Sequence, residues 1–218
     1  MKNIDNRCIM YLNMAETIVV AGYDRFGTEK KPNPSSEVIL PALNERYPGL
    51  VATVTLPTVY GDAADSLRGV IRDVRPDSVV IFGLKGKPDP LFHLEQQARN
   101  WRESKIADNK GQVGKGVPII KGAPDNLDTT LPLTDIAATF DERNVPYTMS
   151  GKIGPFVCND TFYQIVHYTN RMNRGQHYQI RAGLIHFGRE LVQKAIEEGA
   201  YAVIDTLNSD NPPAQQPL

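Results

Sequence analysis

Short runs of apolar, often β-branched residues alternate with longer segments of helical periodicity along most of the chain. Runs such as TIVVA (17–21) and SVVIF (78–82) are apolar throughout, which is typical of strands that are buried on both faces. Segments such as 63–74 repeat apolar residues every three or four positions, which predicts one buried helix face. The pattern predicts strands at 17–21, 51–56, 78–82, 146–149 and 182–187, and helices at 35–47, 63–74, 133–143, 159–172 and 190–198.

This alternation of strands and helices predicts an α/β fold built from βαβ units. The expected architecture is a single domain with three layers, in which a twisted, mainly parallel sheet is covered by helices on both faces. A length of 218 residues fits one such domain. We expect the domain to span residues 15–207, after an N-terminal extension at 1–14 without clear periodicity. The segment 208–218 carries three prolines and no apolar pattern, which predicts a disordered tail.

The segment 83–132 interrupts the alternation. It is rich in glycine, proline and charged residues, and it shows no long periodic stretch. Loops of this length inside a domain are usually functional. Ligands of parallel α/β sheets also bind beyond the carboxyl ends of the strands. We therefore expect this segment to supply part of a substrate site.

Composition narrows the class of protein. The formal charge is 24 − 25 = −1, so the basic excess typical of nucleic-acid binders is absent from the sequence. Two cysteines are too few for a disulfide framework and suit a reducing compartment. We read neither a membrane span nor a secretion signal in the sequence, and no run of residues has the ligand spacing of a zinc site. These features predict a cytoplasmic protein that binds neither nucleic acid nor membrane.

Cys158 is a candidate nucleophile because it lies where a helix is predicted to begin, in GPFVCND. Unpaired backbone N–H groups at a helix N-terminus favour a thiolate over a thiol, and they can also hold a developing oxyanion. The alternative is a buried structural cysteine, since free cysteines are among the most buried residues.

Two further residues could complete a catalytic set with this cysteine. His186 ends the predicted strand AGLIH, where an imidazole could exchange a proton with Cys158. The alternative is a core histidine that is satisfied by the backbone. Glu95 has apolar neighbours in PLFHLE and could orient the imidazole, although it could equally be an exposed loop carboxylate.

Together these segments resemble the pyroglutamyl peptidase type I family, also called pyrrolidone-carboxylate peptidases. These are cytosolic cysteine peptidases that remove an N-terminal pyroglutamyl residue. The resemblance extends from about residue 17 to 186, with its motifs in the family's order. They are VVAGYDRFG (19–27), NPS (33–35), LPTVYG (56–61), GLKGKPDPLFHLEQQARN (83–100), IADNKG (106–111), GAP…TTLPL (122–133), GPFVCNDTFY (154–163) and GLIHFG (183–188).

The resemblance implies a role for each matching residue. It places the nucleophile at Cys158, the base at His186 and the acid that orients the base at Glu95. It also implies an aromatic pair, Tyr23 and Phe26, on either side of the pyrrolidone ring. The other substrate-binding positions that it implies are Asn33, Thr58, Lys105, Ile106, Phe156 and Val157.

The function implied is that of a cysteine-type omega-peptidase, which releases pyroglutamate from peptides through a thioester and needs no metal or organic cofactor. The partners are N-terminally pyroglutamylated peptides, and the resemblance implies a homodimer or a homotetramer. The sequence does not choose between these assemblies, nor does it identify the natural peptides.

Several departures from the family pattern support an alternative function. The motif from Gly83 to Glu95 is one residue longer than usual, Gln96 and Lys105 stand where arginines are common, and Phe187 and Gly188 replace the usual residues after the histidine. A non-catalytic relative that binds a small molecule or a peptide would fit these changes. A nucleoside-handling enzyme is a further alternative, because parallel α/β sheets host many activities.

Overall fold

The computed structural model describes residues 17–209 except 28, 30, 87, 152, 177 and 178, and in this part it contains ten strands and five α-helices. The strands are β1 (Ile18–Tyr23), β2 (Val51–Leu56), β3 (Ser78–Leu84), β4 (Phe92–Glu95), β5 (Gln97–Arg99), β6 (Arg102–Ser104), β7 (Gly114–Val117), β8 (Asn126–Asp128), β9 (Tyr147–Ser150) and β10 (Arg181–Phe187). The helices are α1 (Leu40–Arg46), α2 (Asp62–Val74), α3 (Leu133–Glu142), α4 (Val157–Met172) and α5 (Gln193–Ser209).

Six strands form the central sheet, in the order β2-β1-β3-β10-β4-β9. The strands β2, β1, β3 and β10 are parallel, and β4 pairs with β10 in the antiparallel sense. The last strand, β9, is parallel to β4. The sheet is therefore mainly parallel, as predicted, and two short two-stranded sheets (β5–β8 and β6–β7) lie outside it.

Helices cover both faces of this sheet, which gives the three-layer α/β architecture predicted from the sequence. Residues of α1, α3 and α5 pack with Ile18, Val20 and Phe82 in one core. Residues of α2 and α4 pack with Val19, Ala21 and Ile81 in the other. Neighbouring positions of each buried strand thus belong to opposite faces of the sheet. The face under α2 and α4 also carries the candidate catalytic residues.

The predicted elements differ from the structure mainly at their ends. The sequence predicts the last helix at 190–198, yet α5 runs from Gln193 to Ser209 and so includes the first two residues of the predicted tail. Near Pro41 a π-helical turn (Ser35–Ile39) passes directly into α1. Pro41 lies in the first turn of α1, where a backbone N–H has no partner within an α-helix, so a proline is tolerated there and does not interrupt the helix.

The segment 83–132 contains more regular structure than the sequence predicts. It includes a central strand, β4, and the four strands of the two small sheets. The expectation of a long irregular loop is therefore wrong for these stretches. The predicted extension at 1–14 and residues 210–218 of the predicted tail lie outside the described residues.

In the part of the chain that the structure describes, no helix is both long enough and apolar enough to cross a bilayer.

Candidate active site

Cys158 is the second residue of α4 and is partly buried. Phe156, which precedes the helix, has an extended backbone (φ −96°, ψ −169°), so the chain turns sharply into the first helical turn. No side chain of the described residues caps this helix N-terminus. The first N–H groups of a helix have no partner within it, so they are available to an anion beside the sulfur.

His186 and Glu95 come together through the pairing of two strands. His186 is the sixth residue of β10 and lies opposite His93 of the antiparallel strand β4, two positions before Glu95. The Nδ1 atom of His186 lies 2.8 Å from Oε1 of Glu95. Both residues are buried, with exposed fractions of 7% and 1%. A carboxylate accepts a hydrogen bond from Nδ1–H, which leaves Nε2 for another partner.

Gly83 provides the space in which the sulfur and the imidazole meet. It lies opposite His186 in the β3–β10 pairing. A Cβ atom at residue 83 would lie 3.0 Å from Nε2 of His186 and 3.3 Å from Sγ of Cys158. The sulfur and Nε2 therefore occupy the volume above this glycine that a side chain would otherwise fill.

The charges of these groups support one another. Burial lowers the pKa of His186, but hydrogen bonds and charge from Cys158 and Glu95 outweigh it and raise this pKa to about 9. Burial acts to raise the pKa of Glu95, yet the hydrogen bond and charge of His186 hold that pKa below its ordinary value. Glu95 is thus kept ionised beside an imidazolium, which is the form that can donate a proton.

An aromatic cluster is built around Phe156, two residues before Cys158 in the sequence. Phe156 packs edge-on against Phe26, with ring centroids 5.4 Å apart, and against Tyr60, with centroids 5.6 Å apart. Phe26 and Phe156 are both partly exposed. Flat apolar faces of this kind can hold a small planar ring next to the sulfur.

The amino-acid sequence is similar to those of known proteins. Residues 16–205 match the family model described as pyroglutamyl peptidase. The pyrrolidone-carboxylate peptidase of Gloeobacter violaceus is 36% identical over 170 residues, which are 78% of this chain and 80% of that protein. The Enterococcus faecalis protein of the same name is 31% identical over 169 residues, or 78% and 76% of the two chains. The chain belongs to the pyroglutamyl peptidase family.

A solved structure of the pyroglutamyl peptidase family shows the same fold. The crystal structure of pyroglutamyl peptidase I from Bacillus amyloliquefaciens superposes with a TM-score of 0.80 at 26% identity. The match covers 89% of this chain and 97% of that one. The three-layer architecture is therefore that of the family.

Of the substrate-binding positions implied by the pyroglutamyl peptidase family, three are buried residues that support one loop. The Thr58 backbone N–H and hydroxyl donate to Oδ1 of Asp24 at 2.8 and 2.7 Å. Asn33 donates to the Asp24 carbonyl at 3.2 Å and accepts from the Ser35 hydroxyl at 2.8 Å. That hydroxyl in turn accepts from the Tyr23 backbone N–H at 2.9 Å. These bonds hold the loop that presents Phe26.

The remaining substrate-binding positions lie in different surroundings. Val157 is fully buried at the start of α4, next to Cys158. Lys105 and Ile106 are exposed in the loop after β6, and Ile106 is 62% accessible. The structure thus brings Glu95, Cys158 and His186 together and leaves Lys105 and Ile106 on the surface near the β6–β7 sheet. A contact of either with substrate stays a prediction.

Residues of α4 and the preceding loops that the sequence did not single out position Cys158. Arg102 and Gln164 bind the buried carboxylate of Asp160 at 2.8 Å each, and Gly61 donates its N–H to it at 3.0 Å. The Asn159 side chain bonds the backbone of Arg99 and Trp101 at 2.9–3.0 Å. The motif CND indicated only Cys158, because all of these partners except Gln164 are distant from it in the sequence.

A second charged cluster lies one strand away from His186. Nδ1 of His93 lies 2.6 Å from Nζ of Lys85, and its Nε2 lies 2.9 Å from Oδ2 of Asp89. An ammonium can only donate, so Nδ1 accepts and the Nε2 proton goes to Asp89. Burial acts to raise the pKa of Glu95, and Lys85 acts to lower it, after the larger lowering effects of His186 and Ser150. His93 is thereby engaged on both ring nitrogens.

Proposed function

We propose that the protein hydrolyses the bond after an N-terminal pyroglutamyl residue, with Cys158 as nucleophile, His186 as acid and base, and Glu95 as the group that orients His186. The observation that carries this proposal is the meeting of the sulfur and the imidazole above Gly83, with the buried Glu95 carboxylate bound to the other ring nitrogen of His186. Membership of the pyroglutamyl peptidase family adds the class of substrate.

The first half of the reaction transfers the pyroglutamyl group to the enzyme. The Cys158 thiolate attacks the carbonyl carbon, and a C–S bond forms while the carbonyl electrons move to oxygen. Backbone N–H groups at the start of α4 stabilise this oxyanion. The His186 imidazolium then gives its Nε2 proton to the leaving nitrogen, the C–N bond breaks, and the shortened peptide departs with a neutral amine.

The second half of the reaction releases the product. Neutral His186 takes a proton from water, and the resulting hydroxide attacks the thioester carbon. The C–S bond breaks, which returns the sulfur as a thiolate beside a protonated imidazole. Pyroglutamic acid leaves and loses its carboxyl proton to solvent. Throughout both halves the Glu95 carboxylate accepts a hydrogen bond from Nδ1–H of His186 and keeps the ring in one orientation.

The chemistry of the pyroglutamyl ring fits the aromatic neighbours of Cys158. The ring is a closed lactam, so its nitrogen carries no positive charge and needs no carboxylate partner. Such a ring needs flat apolar faces and a few polar partners for its N–H and C=O. Phe26 and Phe156 are partly exposed and can supply these faces.

A pair of fluorogenic amides tests the proposed function. We expect the purified protein to release the fluorophore from pyroglutamyl-aminomethylcoumarin and to discriminate against the prolyl compound by at least ~10³-fold in kcat/KM, because the latter lacks the lactam carbonyl and leaves buried polar groups unpaired. The Cys158→Ala variant is the control for contaminating activity. Equal rates for both compounds, or no release from the pyroglutamyl compound, would contradict the proposal.

The pH dependence of the reaction gives a second test. Because the pKa of His186 is raised to about 9, its acid form is complete at neutral pH and is lost as the pH rises through about 9. We expect kcat/KM to fall along an alkaline limb in that range.

Glu95→Gln keeps the shape of the side chain but removes the charge that favours the imidazolium, so the alkaline limb should move to lower pH and the maximal rate should fall.

The exposed Glu142 on α3 provides the control for the alkaline limb. Glu142→Gln makes the same chemical change on the opposite side of the sheet and should leave the limb where it is. An alkaline limb that stays in place in Glu95→Gln would mean that Glu95 does not set the charge of His186.

The proposal also includes the cellular compartment and the oligomeric state of the protein. Among the described residues Cys158 is a free thiol, and a reduced sulfur is what the reaction needs. A reduced sulfur fits the cytoplasm, which is the compartment we propose. The family resemblance implies a homodimer or a homotetramer, and analytical ultracentrifugation measures which of these forms. The non-catalytic alternative is not favoured, since His186 hydrogen-bonds Glu95 and lies beside the Cys158 sulfur.

A further inference from the structure

The hydroxyl of Tyr23 is buried without a hydrogen-bond partner among the described residues. The residue ends β1 and is only 2% exposed. A buried hydroxyl without a partner costs free energy, so the fold gains from any acceptor that comes within its reach. The resemblance to the family implied that the Tyr23 ring packs against the pyrrolidone ring of the substrate. That role involves only the ring and assigns no function to the hydroxyl.

The strand register places this tyrosine beside the sulfur. Gly22 pairs with Phe82 in the β1–β3 ladder, so the next residues, Tyr23 and Gly83, lie side by side. Gly83 in turn pairs with His186. Paired residues of parallel strands share a face, and neighbouring strands are about 4.8 Å apart. Tyr23, Gly83 and His186 therefore form one row across three strands.

The Cys158 sulfur lies above the middle of this row. It would be 3.3 Å from a Cβ atom at residue 83, the one position of the three without a side chain. His186 flanks the sulfur from β10, and the Tyr23 ring flanks it from β1. Tyr23 and Cys158 belong to the same packed core under α4.

The Tyr23 hydroxyl stays protonated. Burial, and after it the charge of Cys158, raise the pKa of Tyr23 well above its ordinary value. The Asp160 carboxylate acts in the same direction. The Thr161 hydroxyl acts in the opposite direction on this pKa, and because its own proton goes to the Val157 carbonyl at 2.9 Å, it can only accept from Tyr23. The hydroxyl is therefore a neutral donor.

We propose that Tyr23 is a further catalytic residue of this chain, whose hydroxyl donates a hydrogen bond to the Cys158 thiolate from the side opposite His186. This inference rests on the proposed function, because it concerns the same sulfur. Two donors would then hold the thiolate over Gly83. The hydrogen bond from Tyr23 strengthens when the sulfur is negative and weakens once the thioester has formed.

Replacement of Tyr23 by phenylalanine removes only the hydroxyl and tests this role. In a Cys8→Ser background, the rate at which iodoacetamide alkylates Cys158 is measured by mass spectrometry at a series of pH values from about 5 to about 10. We expect the midpoint of this profile to rise by about one pH unit in Tyr23→Phe. We also expect kcat for the pyroglutamyl amide to fall by about tenfold with little change in KM.

Tyr60→Phe is the matched control for the alkylation profile. The Tyr60 hydroxyl is likewise buried without a partner among the described residues, but its ring packs on Phe156 and is not part of the row across β1, β3 and β10. Its removal should leave the alkylation midpoint of Cys158 unchanged. Circular dichroism and thermal unfolding show whether each variant is folded.

The outcomes separate this inference from the proposed function. An unchanged alkylation midpoint in folded Tyr23→Phe overturns the inference, and so does an increase in KM alone, which would place the hydroxyl on the substrate. A shifted midpoint in a protein that cleaves no pyroglutamyl amide supports the contact and rejects the function. If Tyr23→Phe does not fold, 3-fluorotyrosine inserted at residue 23 should lower the midpoint, because its hydroxyl is a stronger donor, and no shift would overturn the inference.

Discussion

Cys158→Ala should lower the turnover of a pyroglutamyl amide by about 10⁴-fold or more, since no C–S bond can form without the sulfur. The fold should survive, because Cys158 is only partly buried and the side chain loses a single heavy atom.

His186→Ala should reach a similarly low rate, because a thiol without its imidazole partner is a weak nucleophile and the leaving amine receives no proton. Initial rates with the purified variants measure both effects.

The double variant gives a stricter test of the same assignment. If Cys158 and His186 act as one unit, the double variant should be about as slow as either single variant, and the two losses should not multiply. Cys8→Ser, which changes the other cysteine of the sequence, should keep its activity. Substantial turnover by the His186 variant would exclude the role assigned to this residue.

Gly83→Ala should cost about 10²-fold in kcat/KM although it adds only one methyl group. The new Cβ would lie 2.8 Å from Cδ2 of His186, closer than a carbon contact allows, and 3.3 Å from Sγ of Cys158. The imidazole or the sulfur must move to make room, and the distance between them would change. The free energy of unfolding should change less than kcat/KM does, because alanine in a strand loses less backbone entropy on folding than glycine and this partly offsets the clash.

Gly86→Ala is the matched control for this substitution. Gly86 lies three residues further along the same chain segment and is exposed, and no atom of the described residues lies within 4 Å of the position that its new methyl group would occupy. Its kcat/KM should equal that of the unchanged protein. Kinetics and thermal unfolding of both variants distinguish displacement of the site from loss of the fold. A fully active Gly83→Ala variant would mean that the space above β3 does not limit the approach of the sulfur to His186.

The sequence predicted the elements whose signals are local. Continuous apolar runs located β1, β3 and β10, and the residue types around Cys158 indicated a reactive helix start. Strand β4 was missed because it has only four residues and follows Pro88 and Pro90 in a polar segment. Its partner, β10, lies about 90 residues away in the sequence, and no local pattern reports such a pairing.

Side-chain directions across the sheet could not be predicted in the same way. The contact of Glu95 with His186 depends on the antiparallel register of β4, and the place of Tyr23 beside Gly83 depends on the register of three strands. A shift of one residue in any of these three ladders would turn side chains to the other face. The residue types indicated the chemistry, whereas the register decides which groups meet.

The antiparallel direction of β4 has a consequence for proton exchange with bulk solvent. Since β4 is antiparallel to β10, each step from His93 toward Glu95 leads away from the carboxyl-terminal end of β10 and into the interior. Shielding from water therefore deepens from the partly exposed Cys158, through His186 at 7%, to Glu95 at 1%. The carboxylate is remote from water, so the protons of the reaction pass between solvent, substrate and the two outer groups, while the innermost charge stays constant from one turnover to the next.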